Sequence, residues 1–195
     1  MTVENNGFIS TSVGNGSEHT QSANLDIGVA KLALQTGGYI KSSTNGKSSA
    51  GEITITATEY IKIFGNGSGI FSTSENDINT ETSGNAGKII ISGKNSSGET
   101  ARVPSLTMAD GGKISTTTWG NGNGGEIELQ VEDLQVNQNS SITTATKGDG
   151  NENAVPANIY IDVQRLTLNG DIKSSTNGNS PAGNIAITAS EYINL

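Results

Sequence analysis

Apolar side chains along this chain come in short alternating pairs, and the pairs return in a fixed order. One set opens on an isoleucine: Ile9, Ile40, Ile70, Ile114, Ile142 and Ile172. A second set reads Leu25-Asp-Ile27, Ile53-Thr-Ile55, Ile89-Ile-Ile91, Ile127-Glu-Leu129, Ile159-Tyr-Ile161 and Ile185-Ala-Ile187. A third reads Leu32-Ala-Leu34, Ile61-Lys-Ile63, Leu106-Thr-Met108, Leu134-Gln-Val136, Leu166-Thr-Leu168 and Ile193-Asn-Leu195. Apolar–x–apolar is the strand period, with one face buried. The abundant Ile, Val and Thr suit a pleated surface. No window keeps a 3.6-residue period, so the pattern predicts no substantial helix.

The spacings turn these strands into a fold. Positions of the first set recur at intervals of 31, 30, 44, 28 and 30 residues. Steps from the second set to the third are 5, 6, 15, 5, 5 and 6 residues, and from the third to the next first 8, 9, 8, 8 and 6. Two corners are therefore tight, and the one between first and second sets is variable. A single long insertion, Ser92 to Ser105, interrupts the third repeat. The stretch 40–63 returns as 172–195 with 17 of 24 positions identical, an offset of 132 residues. The first repeat likewise resembles the fifth, so four coils form a block that spans 40–171, with a partial second copy from 172. A β-sandwich or barrel has no reason to keep such a copy in register. The chain reads instead as one unit, 1–195, of an all-β right-handed parallel β-helix with about six three-stranded coils of about 28–44 residues. Its hand follows the crossover rule for parallel strands. Stacking at ~4.8 Å gives a length of roughly 25–30 Å. Gly-Gly, Ala-Gly and Asn-Gly pairs supply the corners, where positive φ is needed.

Composition changes this picture little. Hydrophobic residues are 32% and charged residues 15%, which would suggest disorder were the apolar period absent. The net charge of −8 lacks the basic footprint of a nucleic-acid binder. Cysteine is absent, so no disulfide scaffold is expected. No apolar run reaches the length of a transmembrane segment. Met1-Thr-Val-Glu-Asn-Asn-Gly7 is not a signal peptide, so the expectation is either a segment that starts inside a longer protein or a start that is wrongly assigned.

Candidate chemistry is sparse. His19, the only histidine, stands in a polar loop without a second ligand. Asp149-Gly-Asn-Glu152 imitates the start of a calcium loop, but position six is Ala154 and position twelve is Tyr160. Asp149 with Glu152, or Glu75 with Asp77 and Glu81, remain weak Ca²⁺ candidates. No cofactor or true metal site is predicted. β-Helices also serve as polysaccharide lyases and hydrolases, which need clustered carboxylates. Glu52, Glu126, Glu128 and Asp162 are scattered, with Glu52 and Glu126 about two rises, ~9–10 Å, apart. The Ser/Thr positions Ser10, Ser12, Ser43, Thr73, Ser115, Thr117, Thr143 and Ser175 could form an ice-binding ladder, but Lys41, Phe71, Lys173 and Ala145 interrupt it. Trp119 is either a corner-packing residue or a sugar-stacking platform. The insertion, with Arg102, is the least periodic stretch and a place for partner contact. Trp119, Arg102, Glu75 and Asp77 are the binding-surface candidates.

The run Leu106-Thr-Met-Ala-Asp-Gly-Gly-Lys-Ile-Ser-Thr-Thr-Thr-Trp-Gly-Asn-Gly-Asn-Gly-Gly-Glu-Ile-Glu-Leu129 resembles the repeats of filamentous haemagglutinin-like exoproteins, especially the large forms of cyanobacteria and other Gram-negative bacteria. The resemblance covers nearly the whole chain. It implies a right-handed parallel β-helix, export by two-partner secretion through an outer-membrane barrel, a secreted or cell-surface location, and adhesion or aggregation through glycans or host and neighbour cell surfaces. That family's secretion domain carries Asn-Pro motifs, whereas Pro104, Pro156 and Pro181 follow Val, Val and Ser. The segment is therefore expected to lack that domain. The resemblance supplies no catalytic residues. The expectation is a structural or adhesive passenger that displays loops 74–86, 92–105 and 146–157. A polysaccharide-processing enzyme and an ice-binding solenoid are the alternatives.

Overall fold

A computed structural model describes residues 1–14, 23–75, 84–147 and 152–195. Among these residues there are fifteen strands and no helix. After β1 (Thr2–Val3) the chain runs through six coils. The first holds β2 (Phe8–Val13) and β3 (Leu25–Gln35), and the second β4 (Tyr39–Thr44) and β5 (Ile53–Phe64). The third holds β6 (Gly69–Ser74), β7 (Ile89–Lys94), β8 (Thr100–Ala101) and β9 (Val103–Ala109). The fourth is β10 (Lys113–Trp119) with β11 (Ile127–Val136), the fifth β12 (Ser141–Lys147) with β13 (Ile159–Leu168), and the sixth β14 (Asp171–Thr176) with β15 (Ile185–Asn194).

Like stacks on like in two sheets. A six-stranded sheet takes the first strand of every coil, β2-β4-β6-β10-β12-β14 in space. A nine-stranded sheet takes the rest, β1-β3-β5-β7-β11-β13-β15, with β9 between β5 and β11. Every pairing is parallel except β7 with β8. The repeat therefore forms a parallel β-solenoid of about six turns. Register follows the sequence pattern: Ile40 pairs with Ile9 and Ile70, and Ile114 with Ile70 and Ile142. Between the sheets lies one core of stacked Ile, Leu and Val, and Ile40, Ile53, Ile61, Ile89, Leu106 and Ile127 have no exposed surface.

The second and third strands of each coil, distinct in the sequence pattern, run on as a single bent strand in five of the six coils. Two outward residues in succession make the bend: Ala30-Lys31 in β3, Glu132-Asp133 in β11 and Gln164-Arg165 in β13. β5 and β15 need three, Thr58-Glu59-Tyr60 and Ser190-Glu191-Tyr192, and the register shifts there by one residue. This β-bulge accounts for the spacing of 6 in place of 5 in those two coils. Each bulge carries a glutamate that reaches a cation at the bend of the preceding coil, Glu59 to Lys31 at 3.0 Å and Glu191 to Arg165 at 3.2 Å.

The third coil keeps two separate strands because ten residues, Gly93 to Arg102, are inserted between Ser92 and Val103. Ile91 pairs with Leu129 and Val103 with Val131, so excising them restores the spacing of 5 seen in the fourth coil. The insertion is a small antiparallel hairpin in which Gly93 faces Ala101 and Lys94 faces Thr100. Asn95 closes its tip, its side-chain oxygen accepting from the amides of Ser97 at 3.0 Å and Glu99 at 2.9 Å. Gly98 takes the positive φ of 81°.

Inside the six-stranded sheet, the residue two after each first-strand isoleucine is a serine or threonine that points inward. Each ties its strand to the turn that enters the nine-stranded sheet. Thr11 donates to the Ala23 carbonyl at 3.1 Å, Thr116 to that of Gly125 at 3.0 Å, and Thr144 to that of Ala157 at 2.8 Å. Ser42, Ser72 and Ser174 accept from the amides of Gly51 at 2.9 Å, Gly87 at 2.7 Å and Gly183 at 3.0 Å. These glycines cannot carry a side chain: a Cβ at Gly51 would overlap the Ala23 carbonyl, and one at Gly87 that of Gly51.

Candidate functional site

The residues singled out in the sequence do not gather into one site, although Arg102 meets Asp162 and Glu126 and Glu128 share Lys88. Trp119 ends β10 and is 37% exposed. Lys147 of the next coil lies 4.6 Å from its ring centroid, a cation–π contact. Glu75 follows β6 and forms an ion pair with Lys41 of the coil before. Asp77, Glu81, His19 and Asp149 lie outside the described residues, and Glu152 is exposed at their margin. Among the described residues, no three His, Cys, Asp or Glu side chains gather as a metal site would require.

Arg102 stands at the base of the inserted hairpin and reaches across the fourth coil to Asp162 of the fifth. The contact is bidentate, with Nη2 donating to Oδ1 at 2.7 Å and Nε to Oδ2 at 3.2 Å. That pair holds the hairpin against the outer face of the nine-stranded sheet. On the hairpin's other side Lys94 overhangs a trough of about 570 Å³ over β3 and β5, whose floor includes Gly28, Ala30, Thr56 and Thr58.

The carboxylates considered for catalysis are held by cations or lie alone. Glu52 and Glu126 occupy one column, and the coil between them contributes Lys88. Lys88 bonds Glu126 at 2.8 Å and also Glu128. Partial burial works against the charge on Lys88, but hydrogen bonds and the charges of both glutamates outweigh it and raise its pKa above 10.5. Glu52 accepts from Thr54 at 3.1 Å. Arg165 lies between Glu191 and Asp133, 3.6 Å from the latter, and its pKa is raised chiefly by the Glu191 hydrogen bond. Among the described residues no two carboxylates face each other in a strand register; Asp133 faces Ser105 and Arg165, and Glu128 faces Ile90 and Tyr160.

One cluster escaped the sequence reading. On the outward face of the six-stranded sheet Phe8 stacks on Tyr39, with ring centroids 5.4 Å apart and planes 12° from parallel. Tyr39 meets Phe71 edge to face at 6.3 Å. The signal was present in the repeat, since Phe8 and Tyr39 each precede a first-strand isoleucine and Phe71 follows one. The outward columns of this sheet also contain the hydroxyl row with its expected interruptions: Ser10, Lys41, Phe71, Ser115, Thr143 and Lys173 are register partners in turn.

Compared with protein-family models, curated proteins and solved structures, the chain matches none. The likeness to haemagglutinin-like repeats accordingly rests on the quoted residues and on the solenoid they form.

Proposed function

We propose that this chain is a structural and adhesive segment of a secreted or cell-surface protein, a stiff rod that carries its contact residues on its outer faces. The observation that supports this most is the contrast between stack and surface. Parallel ladders run in register through all six coils, while the ten-residue hairpin departs from them and is fastened outside by Arg102 and Asp162. A solenoid built this way is a quasi-one-dimensional scaffold whose outer positions vary without cost to the stack. Repetition along the axis then supports multivalent contact, which raises avidity without new chemistry. An outer-membrane secretion partner and a glycan or cell-surface target belong to the same reading.

Beads coated with the purified segment test it. They are expected to aggregate with or adhere to bacterial and epithelial cells more than beads coated with a version whose 74–86, 93–102 and 146–157 sequences are scrambled. Equal retention of the two would discard the display role.

A further inference from the structure

We propose that the outward face of the six-stranded sheet in the first three coils binds a neutral, extended polysaccharide of β-linked pyranoses, with Phe8, Tyr39 and Phe71 as its stacking platform. The proposal deepens the adhesive reading by naming a site and a ligand class.

The aromatic strip is not something the fold requires. Tyr39 pairs in register with Phe8 and Gly69, and the same column continues through Lys113, Ser141 and Asp171. Three later coils therefore stack with no ring at this position. At Gly69 a Cβ would meet both the Lys113 carbonyl and the end of the Phe71 ring. Phe71, from the neighbouring column, leans across the vacancy and comes to lie beside Tyr39. The result is a run of three rings in three successive coils, with neighbouring centroids 5.4 and 6.3 Å apart.

The rings are open to a ligand. Phe8 is 61% exposed, and Tyr39 and Phe71 are half-buried. Parallel rings touch at about 3.5–4.0 Å, so a centroid distance of 5.4 Å means that Phe8 and Tyr39 are slid past each other and leave part of each face uncovered. An aromatic face is negative and apolar. The C–H face of a pyranose with equatorial substituents is its complement, and a β-linked chain offers one such face after another along a line.

The hydroxyls beside the strip point the same way. Ser10, Ser12, Ser43 and Thr73 face outward next to the rings, and none has a hydrogen-bond partner among the described residues. One sheet-half further on, the equivalent hydroxyls satisfy one another: Thr143 donates to Ser115 at 3.0 Å, and Ser115 lies 3.4 Å from Thr117. Unused donors and acceptors thus flank the aromatics, which suits the hydroxyls of a sugar. Charge selects a neutral chain. Lys41, the register partner of Phe71, is neutralised by Glu75, and a net charge of −8 opposes polyanions. That charge also disfavours single-stranded nucleic acid, which would otherwise stack on such rings.

Native affinity electrophoresis of the whole chain in gels containing hydroxyethylcellulose tests the proposal, with dextran gels as the control. Retardation is expected in hydroxyethylcellulose and not in dextran. Phe8→Ser, Tyr39→Ser and Phe71→Ser should each weaken it by roughly two- to tenfold, whereas Ser175→Ala, on the far end of the same sheet, should leave it unchanged. Phe8→Ser is the decisive variant, because its exposed ring can be removed with little effect on the thermal midpoint. No retardation of the parent chain, or equal retardation of all variants, overturns the site. A lower midpoint with undiminished retardation would make the rings a brace and nothing more. Adhesion to cells, measured on the same variants, separates the two readings: adhesion that survives loss of all three rings sinks this site alone, and glucan retardation without any cell adhesion sinks the display role alone.

Discussion

Removing the hydroxyl of Ser72 leaves the Gly87 amide, 2.7 Å away, without its acceptor in a buried turn. An unsatisfied buried donor costs about 1–3 kcal/mol, so Ser72→Ala is expected to lower stability by that amount in urea titrations. Ser43→Ala, which removes an outward hydroxyl beside Ser42, the register partner of Ser72 in the coil before, should change it by less than about 0.5 kcal/mol. Gly87→Ala should be worse than either, because its Cβ would enter the Gly51 carbonyl and the ladder would have to part. The sequence reading saw the outward hydroxyls and missed these inward ones. Both rows obey the same alternation, and only burial tells them apart. The isoleucine two residues earlier is the missing clue: in a period-2 strand it places Ser42, Ser72, Thr116 and Thr144 on its own, buried side. Lys88 offers a pH test. Its pKa is raised on folding, so its contribution to stability is present below 10.5 and lost as pH climbs through the raised value. The difference in thermal midpoint between the parent and Lys88→Met should stay level from neutral to mildly alkaline pH and shrink only above that point.

At the scale of strands, the inserted hairpin separates from the stack in energy as it does in sequence. Its base sits between Ser92 and Val103, which become adjacent ladder residues once Gly93–Arg102 is removed. Excising those ten residues is expected to leave a folded solenoid, with circular dichroism unchanged and an unfolding free energy within about 1 kcal/mol of the parent, the usual worth of an exposed ion pair. Loss of cooperative unfolding would show that the hairpin is part of the core. Asp162→Asn should instead leave the stack alone and free the hairpin, seen as faster proteolysis near 95–99. The sequence located this insertion to within three residues at either end, 92–105 against Gly93–Arg102, because it broke a spacing that was otherwise constant. It did not reveal the Asp162 contact, because the two partners lie 60 residues apart and two coils away. The short strand β1 shows the opposite limit. Met1 precedes Ile9 by 8 residues, the ordinary step from a third strand to the next first, yet two residues were too few to register as a strand until Thr2 and Val3 were seen to pair with Ala33 and Leu34.

Across the whole molecule, the backbone ladders join each coil only to its neighbours, so protection should be highest where both neighbours are present. The core isoleucines of β5 and β7 are fully buried, whereas Ile185, Tyr192 and Ile193 of β15 remain 42–49% exposed. In this 195-residue chain, amide exchange should therefore be slowest in β5 and β11 and fastest in β15. Uniform exchange along the axis would contradict the nearest-neighbour picture. The architecture itself was legible because identical positions must sit on one another for parallel ladders to close. The outer faces were not, since stacking constrains only one side of each strand, and contacts such as Phe8 on Tyr39 arise between coils rather than along the chain.

The base of the hairpin has a further consequence. Gly93 and Ala101 enter and leave the coil side by side, and the ladder above and below is continuous through Ser92 and Val103. Any segment whose ends lie one strand apart can take their place without changing the pitch of the solenoid. The third coil is thus a grafting port: foreign hairpins, epitopes or small domains inserted there would ride on the rod as passengers, and chains of very different length could share an identical core.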